Sequence, residues 1–178
     1  HGDAYPRGIV LGTYLSGAAG ASVSGDYQSV NLLAFSGKSG ENYTGAAVGG
    51  LEASSENYLV PVAHVTYDEN FSQNKARNVS LLVQPKSSRN SGDTVKKVLT
   101  DNKEGSADSV GNPYLVKVND GCFVVMWEKY NSEDEKFTGQ FQAVVVDGAG
   151  VLLSEKVTLD GNFSDCKPIY KDGTIYWY

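Results

Sequence analysis

Short runs of β-branched and aromatic residues recur along the chain, and clusters of Gly, Asn, Asp and Ser separate them. This pattern predicts β-strands joined by turns. No stretch keeps apolar residues at helical spacing over three turns, so very little helix is expected. Strands are predicted at residues 9–15, 30–35, 58–67, 79–83, 95–99, 114–118, 122–127, 141–146, 151–159 and 175–178.

Three tight turns predict that neighbouring strands pair antiparallel in chain order. Asp120-Gly121 and Asp172-Gly173 each separate two apolar runs, and a glycine-rich turn at 147–150 separates two more. Asp-Gly pairs favour the left-handed backbone angles of two-residue hairpin loops. The C-terminal part of the chain is therefore expected to form a meander.

An internal repeat further limits the possible folds. Segments 112–127 and 167–177 share the order Pro, apolar pair, Lys, Asp-Gly, apolar run and Trp. Their tryptophans, Trp127 and Trp177, lie 50 residues apart. Two earlier pairs of segments repeat at nearly the same distance, namely 9–15 with 59–65 and 29–33 with 78–82.

A four-stranded meander repeated at roughly 50–60 residues is typical of β-propeller blades, whose apolar faces are buried by neighbouring blades. The predicted fold is therefore a single all-β domain, a partial β-propeller of about three and a half blades. Its approximate units are residues 1–50, 51–111, 112–163 and an incomplete 164–178.

Three stretches, 76–83, 112–127 and 164–178, resemble the propeller repeats of secreted or surface-attached multidomain proteins of Gram-positive bacteria, many from the gut. The opening residues 1–7 resemble the start of such a repeat, whereas the unit at 52–65 matches poorly. The resemblance implies blade geometry and an extracellular or cell-surface location. It implies no catalytic residue.

This chain would stop in the middle of its fourth blade, whereas closed propellers hold about 4–8. Another chain or missing sequence would therefore be needed to complete the ring. An open arc exposes apolar faces and strand edges, which favours association. A compact β-sandwich and an up-and-down barrel are alternative folds for this many short strands.

The composition narrows the class of partner. The chain has 15 Lys and Arg against 21 Asp and Glu, so its net charge is −6 and a nucleic-acid partner is not expected. No run of about 18 apolar residues occurs, so no membrane span is expected. A single Met and many Ser, Thr, Asn, Gly and Tyr fit an extracellular protein.

The two cysteines, Cys122 and Cys166, form either one disulfide or two free thiols, and their spacing matches no zinc or redox motif. N-x-S/T triplets carry little weight, because a chain rich in Asn and Ser produces them by chance. They begin at Asn42, Asn70, Asn78 and Asn162.

One enzymatic alternative uses the N-terminal histidine. A copper ion held by an N-terminal His and a second His is typical of lytic polysaccharide monooxygenases, and His1 with His64 would form that pair. The sequence around His64 does not resemble that family. The competing interpretations are that His1 is a cloning remnant or a chance fragment start and that His64 is a packed or hydrogen-bonded strand residue.

Other candidate sites are weaker. Acidic residues at 101–104 with Asp108, and at 133–135, lack the ligand spacing of a calcium loop and are predicted to be solvated. No G-x-S-x-G motif occurs, no Ser is singled out as a partner for His64, and Cys122 is not expected to be a nucleophile. A glycoside-cleaving carboxylate pair at a propeller centre is a second enzymatic alternative, without assigned residues.

Aromatic residues suggest packing first and binding second. Trp127 and Trp177 are expected to pack between blades. Tyrosines near strand ends are candidates for a binding face: Tyr5, Tyr27, Tyr43, Tyr58, Tyr67 and Tyr130. The leading functional prediction is a non-enzymatic bacterial module that binds a protein or a glycan, or spaces other domains, with no cofactor or metal assigned.

Overall fold

The computed structural model describes residues 8–14, 27–35, 46–67 and 73–178. In these ranges the regular structure consists of β-strands and a single 3₁₀ turn, Ser91–Asp93, so the predicted scarcity of helix is confirmed. None of the described residues belongs to a helix that is long and apolar enough to cross a membrane.

All pairings between the described strands are antiparallel. The strands are β1 (Gly8–Tyr14), β2 (Tyr27–Ala34), β3 (Ala47–Val48), β4 (Glu52–Ala53), β5 (Asn57–Tyr67), β6 (Gln73–Pro85), β7 (Val95–Val98), β8 (Asp108–Asn119), β9 (Cys122–Asn131), β10 (Lys136–Val146), β11 (Val157–Asp160), β12 (Ile169–Lys171) and β13 (Thr174–Tyr176).

The strands form four layers in chain order. Hairpin 1 is β1–β2, sheet 2 has the order β3-β5-β6-β7 with β4 also on β5, sheet 3 has the order β8-β9-β10-β11, and hairpin 4 is β12–β13. Sheet 3 is a four-stranded meander, as predicted. The predicted unit boundary between residues 111 and 112 falls inside β8.

The predicted strand 151–159 is only partly correct. Leu152 makes an isolated bridge to Val146, and regular pairing resumes at β11. Between them, the Ser154 hydroxyl replaces a backbone carbonyl as acceptor for the Val145 amide at 2.9 Å, which interrupts the ladder. Apolar sequence therefore did not guarantee a continuous strand.

The Asp-Gly turns differ in backbone conformation. Asp172 and Gly173 have φ of 50° and 83°, as predicted for a two-residue hairpin loop. Asp120 and Gly121 adopt no positive φ, so the predicted left-handed angles are wrong there. Instead, the register shifts near the end of β8, and the Asn119 side chain accepts from the Gly121 amide at 2.9 Å.

The layers pack face to face, and sheets 2 and 3 are covered on both sides. One face of sheet 2 packs on hairpin 1 and its other face packs on sheet 3. The second face of sheet 3 packs on Ile175 of hairpin 4 and on Phe163 in the preceding loop. Residues along β5 and β6 are consequently buried in continuous runs rather than in alternation.

β8, the first strand of sheet 3, lies close to both neighbouring layers. It contacts β3, β4, β5 and β6 of sheet 2 and β12 of hairpin 4, whereas β7 and β11 share no contact of this extent among the described residues. Gly49 makes the approach possible, since a Cβ there would lie 2.1 Å from the Pro113 carbonyl oxygen. The Lys167 ammonium, just before β12, also pairs with Glu52 in β4.

Candidate functional site

His64 lies inside the stack, on the face of sheet 2 that meets hairpin 1. Its ring contacts Phe35 edge-to-face, with centroids 5.6 Å apart. Nδ1 lies 2.7 Å from the Val65 carbonyl oxygen and so carries the proton, which leaves Nε2 to accept from the Ser80 hydroxyl at 3.5 Å. The prediction of a buried, hydrogen-bonded strand histidine is confirmed.

Burial lowers the pKa of His64, because removing the ring from water disfavours its charged form. The hydrogen bond to the Val65 carbonyl opposes this shift, and the charge of Lys96 adds to it. The imidazole is therefore neutral at pH 7, with both nitrogens engaged within the protein.

The copper alternative needs His1, which lies outside the described residues. Among the residues that the structure describes, no three His, Cys, Asp or Glu side chains are grouped closely enough to hold a metal ion. His64 would have to exchange its contacts with Val65 and Ser80 to become a ligand. The copper site therefore stays a prediction.

The acidic segments are surface features. Asp101 is exposed and pairs with Lys103 at 2.6 Å. Residues 133–135 form the β9–β10 turn, in which the Asn131 side chain accepts from the amides of Glu133 and Asp134 at 2.9 and 3.0 Å. The turn ends at Glu135, whose φ is 54°. The predicted solvated hairpin tip is confirmed.

One N-x-S/T triplet is buried. The Asn78 amide oxygen accepts from the Thr100 hydroxyl at 2.9 Å and from the Asn102 backbone amide at 2.6 Å. These bonds hold the segment after β7 against β6. Asn162 is exposed, and Asn42 and Asn70 lie outside the described residues. Asn78 is thus a structural amide in the folded chain.

Cys122 and Cys166 are free thiols in this structure. Cys122 is half-buried at the start of β9, opposite Asn119, and Cys166 is exposed in the loop before β12. The pKa of Tyr178 is raised, mainly by its side-chain hydrogen bond with Cys166 and next by the negative charge of the Cys166 thiolate. A disulfide between the two cysteines stays a prediction.

The two repeated tryptophans differ in environment. Trp127 is completely buried between sheets 2 and 3, and its Nε1 donates to Gln142 at 3.1 Å. Trp177 packs edge-to-face on Phe141, with centroids 5.3 Å apart, but remains 40% exposed. Packing is confirmed for both, and only Trp127 lies between two complete sheets.

Two of the candidate tyrosines contact cations. Tyr130 carries the Arg77 guanidinium 5.1 Å above its ring, and Tyr58 carries the Lys86 ammonium at 5.5 Å. Tyr5 and Tyr43 lie outside the described residues. Tyr27 is the first residue of β2, and Tyr67 is the last residue of β5. The rings of Tyr58 and Tyr130 therefore already contact cationic side chains of the folded chain.

Glu128 is a buried carboxylate that the sequence did not reveal. It is 1% exposed in β9, where Oε1 accepts from the Phe163 amide at 2.9 Å and Oε2 from the Asn112 side chain at 2.5 Å. The available signal was alternation along β9, which places Glu128 on the same face as Val124 and Met126. Glu128 fixes the loop that leads to hairpin 4.

The turns at one end of sheets 2 and 3 meet at a surface that we call the rim. It comprises Ser54, Asn57, Lys86, Lys117, Asp120 and Gly148. The Gly148 carbonyl accepts from the Ser54 hydroxyl at 3.2 Å and from the Asn57 side chain at 2.8 Å. These bonds hold turns of two different sheets in fixed relative positions.

Charged groups of the rim are also held in place. The Lys117 ammonium lies 2.5 Å from the Asp120 carboxylate and 2.7 Å from the Ala53 carbonyl oxygen. The hydrogen bond from Lys117, and next its charge, lower the pKa of Asp120. Lys86 donates to the Ser54 carbonyl at 2.5 Å. The rim therefore presents two cations and one carboxylate on ordered turns.

Open clefts lie between the layers. A cleft of about 530 Å³ separates β7 from the segment 152–156, and one of about 540 Å³ lies between β1 and the β3–β4 segment. A third, of about 370 Å³, is lined by polar groups that include Asp108, Lys129 and Gln142. None of the three is lined by a His or a Cys.

Comparison with known proteins gives no match: no protein-family model, no curated protein and no solved structure is similar to this chain. The resemblance to propeller repeats therefore rests on the sequence segments alone.

Proposed function

We propose that this chain is a non-enzymatic β-propeller module of a secreted or cell-surface bacterial protein, and that it binds a protein or a glycan at the rim. Further sheets beyond the four described layers would close the ring. Scaffolding of neighbouring domains would be compatible with the same architecture.

The ion pair between Lys167 and Glu52 is the observation that carries the propeller proposal. Glu52 lies in sheet 2 and Lys167 lies two residues before β12 of hairpin 4, and sheet 3 lies between these two layers. Face-to-face sheets lie about 10 Å apart, so parallel flat layers would separate the outer two by about 20 Å, beyond the reach of a lysine. Layers that converge on β8 bring the two side chains together, which supports blades around an axis.

Burial on both faces of sheets 2 and 3 also favours blades over the sandwich alternative. In a two-layer sandwich each sheet buries one face and leaves the other to solvent. Here both interior sheets contribute to two apolar clusters each. Radial repetition gives each sheet two neighbours in this way.

The rim supports the binding proposal because its turns are organised before any ligand arrives. Cross-sheet hydrogen bonds fix Ser54, Asn57 and Gly148, which reduces the entropy lost when a partner binds. Loops positioned by a rigid scaffold are common binding surfaces. The neighbouring loop is ordered as well, since the buried Gln84 side chain bonds Ser88 and Thr94.

Carbodiimide coupling of the native chain tests the converging layers. The reagent joins an amine to a carboxylate without a spacer, so it should form an amide bond between Lys167 and Glu52, which peptide mapping by mass spectrometry detects. Glu52→Gln removes the carboxylate and is the control. Groups held about 20 Å apart cannot be joined in this way. Absence of the Lys167–Glu52 cross-link in folded protein would refute the arc.

A charge reversal tests the rim. Lys86→Glu reverses an exposed charge of the rim, and Lys136→Glu lies at the opposite end of the molecule. Ligands found on a glycan array and an array of purified extracellular proteins should lose at least about tenfold in affinity with Lys86→Glu, about 1.4 kcal/mol, and keep it with Lys136→Glu. No ligand on either array, or the reverse order of the variants, would contradict binding at the rim.

A further inference from the structure

We propose that the outward face of hairpin 4 is the seat of one further β-sheet of the same repeat. This face, here called the end face, is formed by Ile169, Tyr176 and Tyr178, which are 58%, 52% and 75% exposed. A contiguous patch of large apolar side chains on an exposed sheet face commonly indicates an interaction surface. The inference rests on the blade arrangement proposed above, and not on ligand binding.

Equivalent positions in sheet 3 show what occupies such a face. When the Asp120-Gly121 and Asp172-Gly173 turns are superposed, Tyr176 corresponds to Val124 and Tyr178 to Met126. Val124 and Met126 pack in the cluster that includes Ile175 of hairpin 4 and Phe163 of the loop before it, and Met126 is only 2% exposed. The interface already present between sheet 3 and hairpin 4 would thus continue by one layer.

The structure also indicates the chemistry of the occupant. Hairpin 4 covers sheet 3 with Ile175 and Trp177, and sheet 3 covers sheet 2 with Phe123, Val125 and Trp127. The occupant is therefore a strand face with an aliphatic or aromatic residue followed, at alternating positions, by Trp.

The opposite end of the stack is less suited to this role. The exposed positions of hairpin 1 include Val10, but also Gly12, Ser29 and Asn31. A second copy would therefore not offer the required apolar strand face through hairpin 1. This contrast favours a further repeat sheet over head-to-tail stacking of identical chains.

The test extends the full chain after Tyr178 with a second copy of residues 127–178, which completes hairpin 4 into a sheet and adds a covering hairpin. The appended copy carries Tyr176→Phe and Tyr178→Phe. Nitration at these two positions can therefore come only from the original tyrosines. Peptide mass spectrometry then measures nitration of the original tyrosines. Tyr178 is 75% exposed in the present chain, and its equivalent in the covered sheet, Met126, is 2% exposed. Nitration of Tyr178 should therefore fall by about tenfold or more in the extended chain.

A matched control carries Ile175→Asp and Trp177→Asp in the appended hairpin, and should leave the original Tyr176 and Tyr178 reactive. Unchanged nitration in the extended chain, or an appended segment that stays unfolded by circular dichroism, would overturn the proposal. Protection of both tyrosines in the unextended chain, together with dimers in sedimentation, would assign the face to a second copy instead. No ligand enters these measurements, so their failure is distinguishable from failure of rim binding.

Discussion

Trp127 in sheet 3 and Trp177 in hairpin 4 close the same repeated sequence pattern, but one is completely buried and the other is 40% exposed. Both contact the preceding layer. Trp127 also lies within a completed four-stranded sheet, whereas hairpin 4 has only two strands in the described structure. Burial here depends on the neighbouring strands and layers, which the local sequence does not specify.

The largest expected difference between the two regions comes from removing each tryptophan. Trp127→Ala should lower the free energy of unfolding by about 3–5 kcal/mol, because it leaves a cavity between two sheets. Trp177→Ala should cost only about 1 kcal/mol, mainly the aromatic contact with Phe141. Urea denaturation of both variants measures this. Equal losses would show that hairpin 4 is buried in solution.

Glu128 connects the two regions and should matter to both. Glu128→Ala removes the acceptor for the Phe163 amide and the Asn112 side chain, and we expect a loss of about 2–3 kcal/mol because two buried donors lose their partner. Hydrogen exchange should rise in the loop before β12 more than in β5. Glu128→Gln, which keeps an acceptor oxygen, is the milder control. An equal rise in hydrogen exchange over all strands would contradict a local role of Glu128 in holding this loop.

The close approach of first strands provides a smaller contrast. Gly49→Ala should destabilise the protein by about 1–3 kcal/mol, because the new Cβ would overlap the Pro113 carbonyl and push β3 from β8. Gly121→Ala is the control, since its nearest non-neighbouring atom would be the Asn119 side-chain oxygen at 3.7 Å. Thermal unfolding of the pair measures the difference. A neutral Gly49→Ala would place the first strands farther apart.

Burial of His64 in sheet 2 predicts that the stability of the protein depends on pH. Because the pKa of His64 is lowered in the folded state, the unfolded chain takes up a proton first as pH falls below about 6.5, and stability decreases. The slope is at most about 1.4 kcal/mol per pH unit and flattens below the folded-state pKa. Chemical denaturation from pH 7.5 to 5 should show this slope in the wild type and a reduced slope in His64→Gln. Identical slopes would mean that His64 does not titrate on unfolding.

Strand positions were predictable where the apolar runs are longest. β5, β6, β9 and β10 follow the predicted runs, although each extends beyond its apolar segment because pairing continues through polar residues such as Arg77 and Lys129. The short strands β3 and β4 were missed, since two residues give no periodicity. The segment after Gly150 was overpredicted, because a side chain there replaced a ladder partner.

The candidate site was much less predictable. Packing of His64 and solvation of the 133–135 turn followed from simple residue preferences. The rim did not, because Ser54, Lys117 and Gly148 are far apart in the chain and meet only when sheets 2 and 3 pack. Glu128 was missed for the same reason, since its partners belong to a β8 irregularity and to the loop after β11.

By itself, the sequence determined the all-β class and the antiparallel order of the later strands, because these depend on local alternation and turn residues. Tertiary structure decided which faces are buried, which turns meet and where an acidic side chain can be enclosed. Those outcomes depend on contacts between layers. The free energy of these contacts is set by the apolar area that they bury and by hydrogen-bond partners from distant parts of the chain.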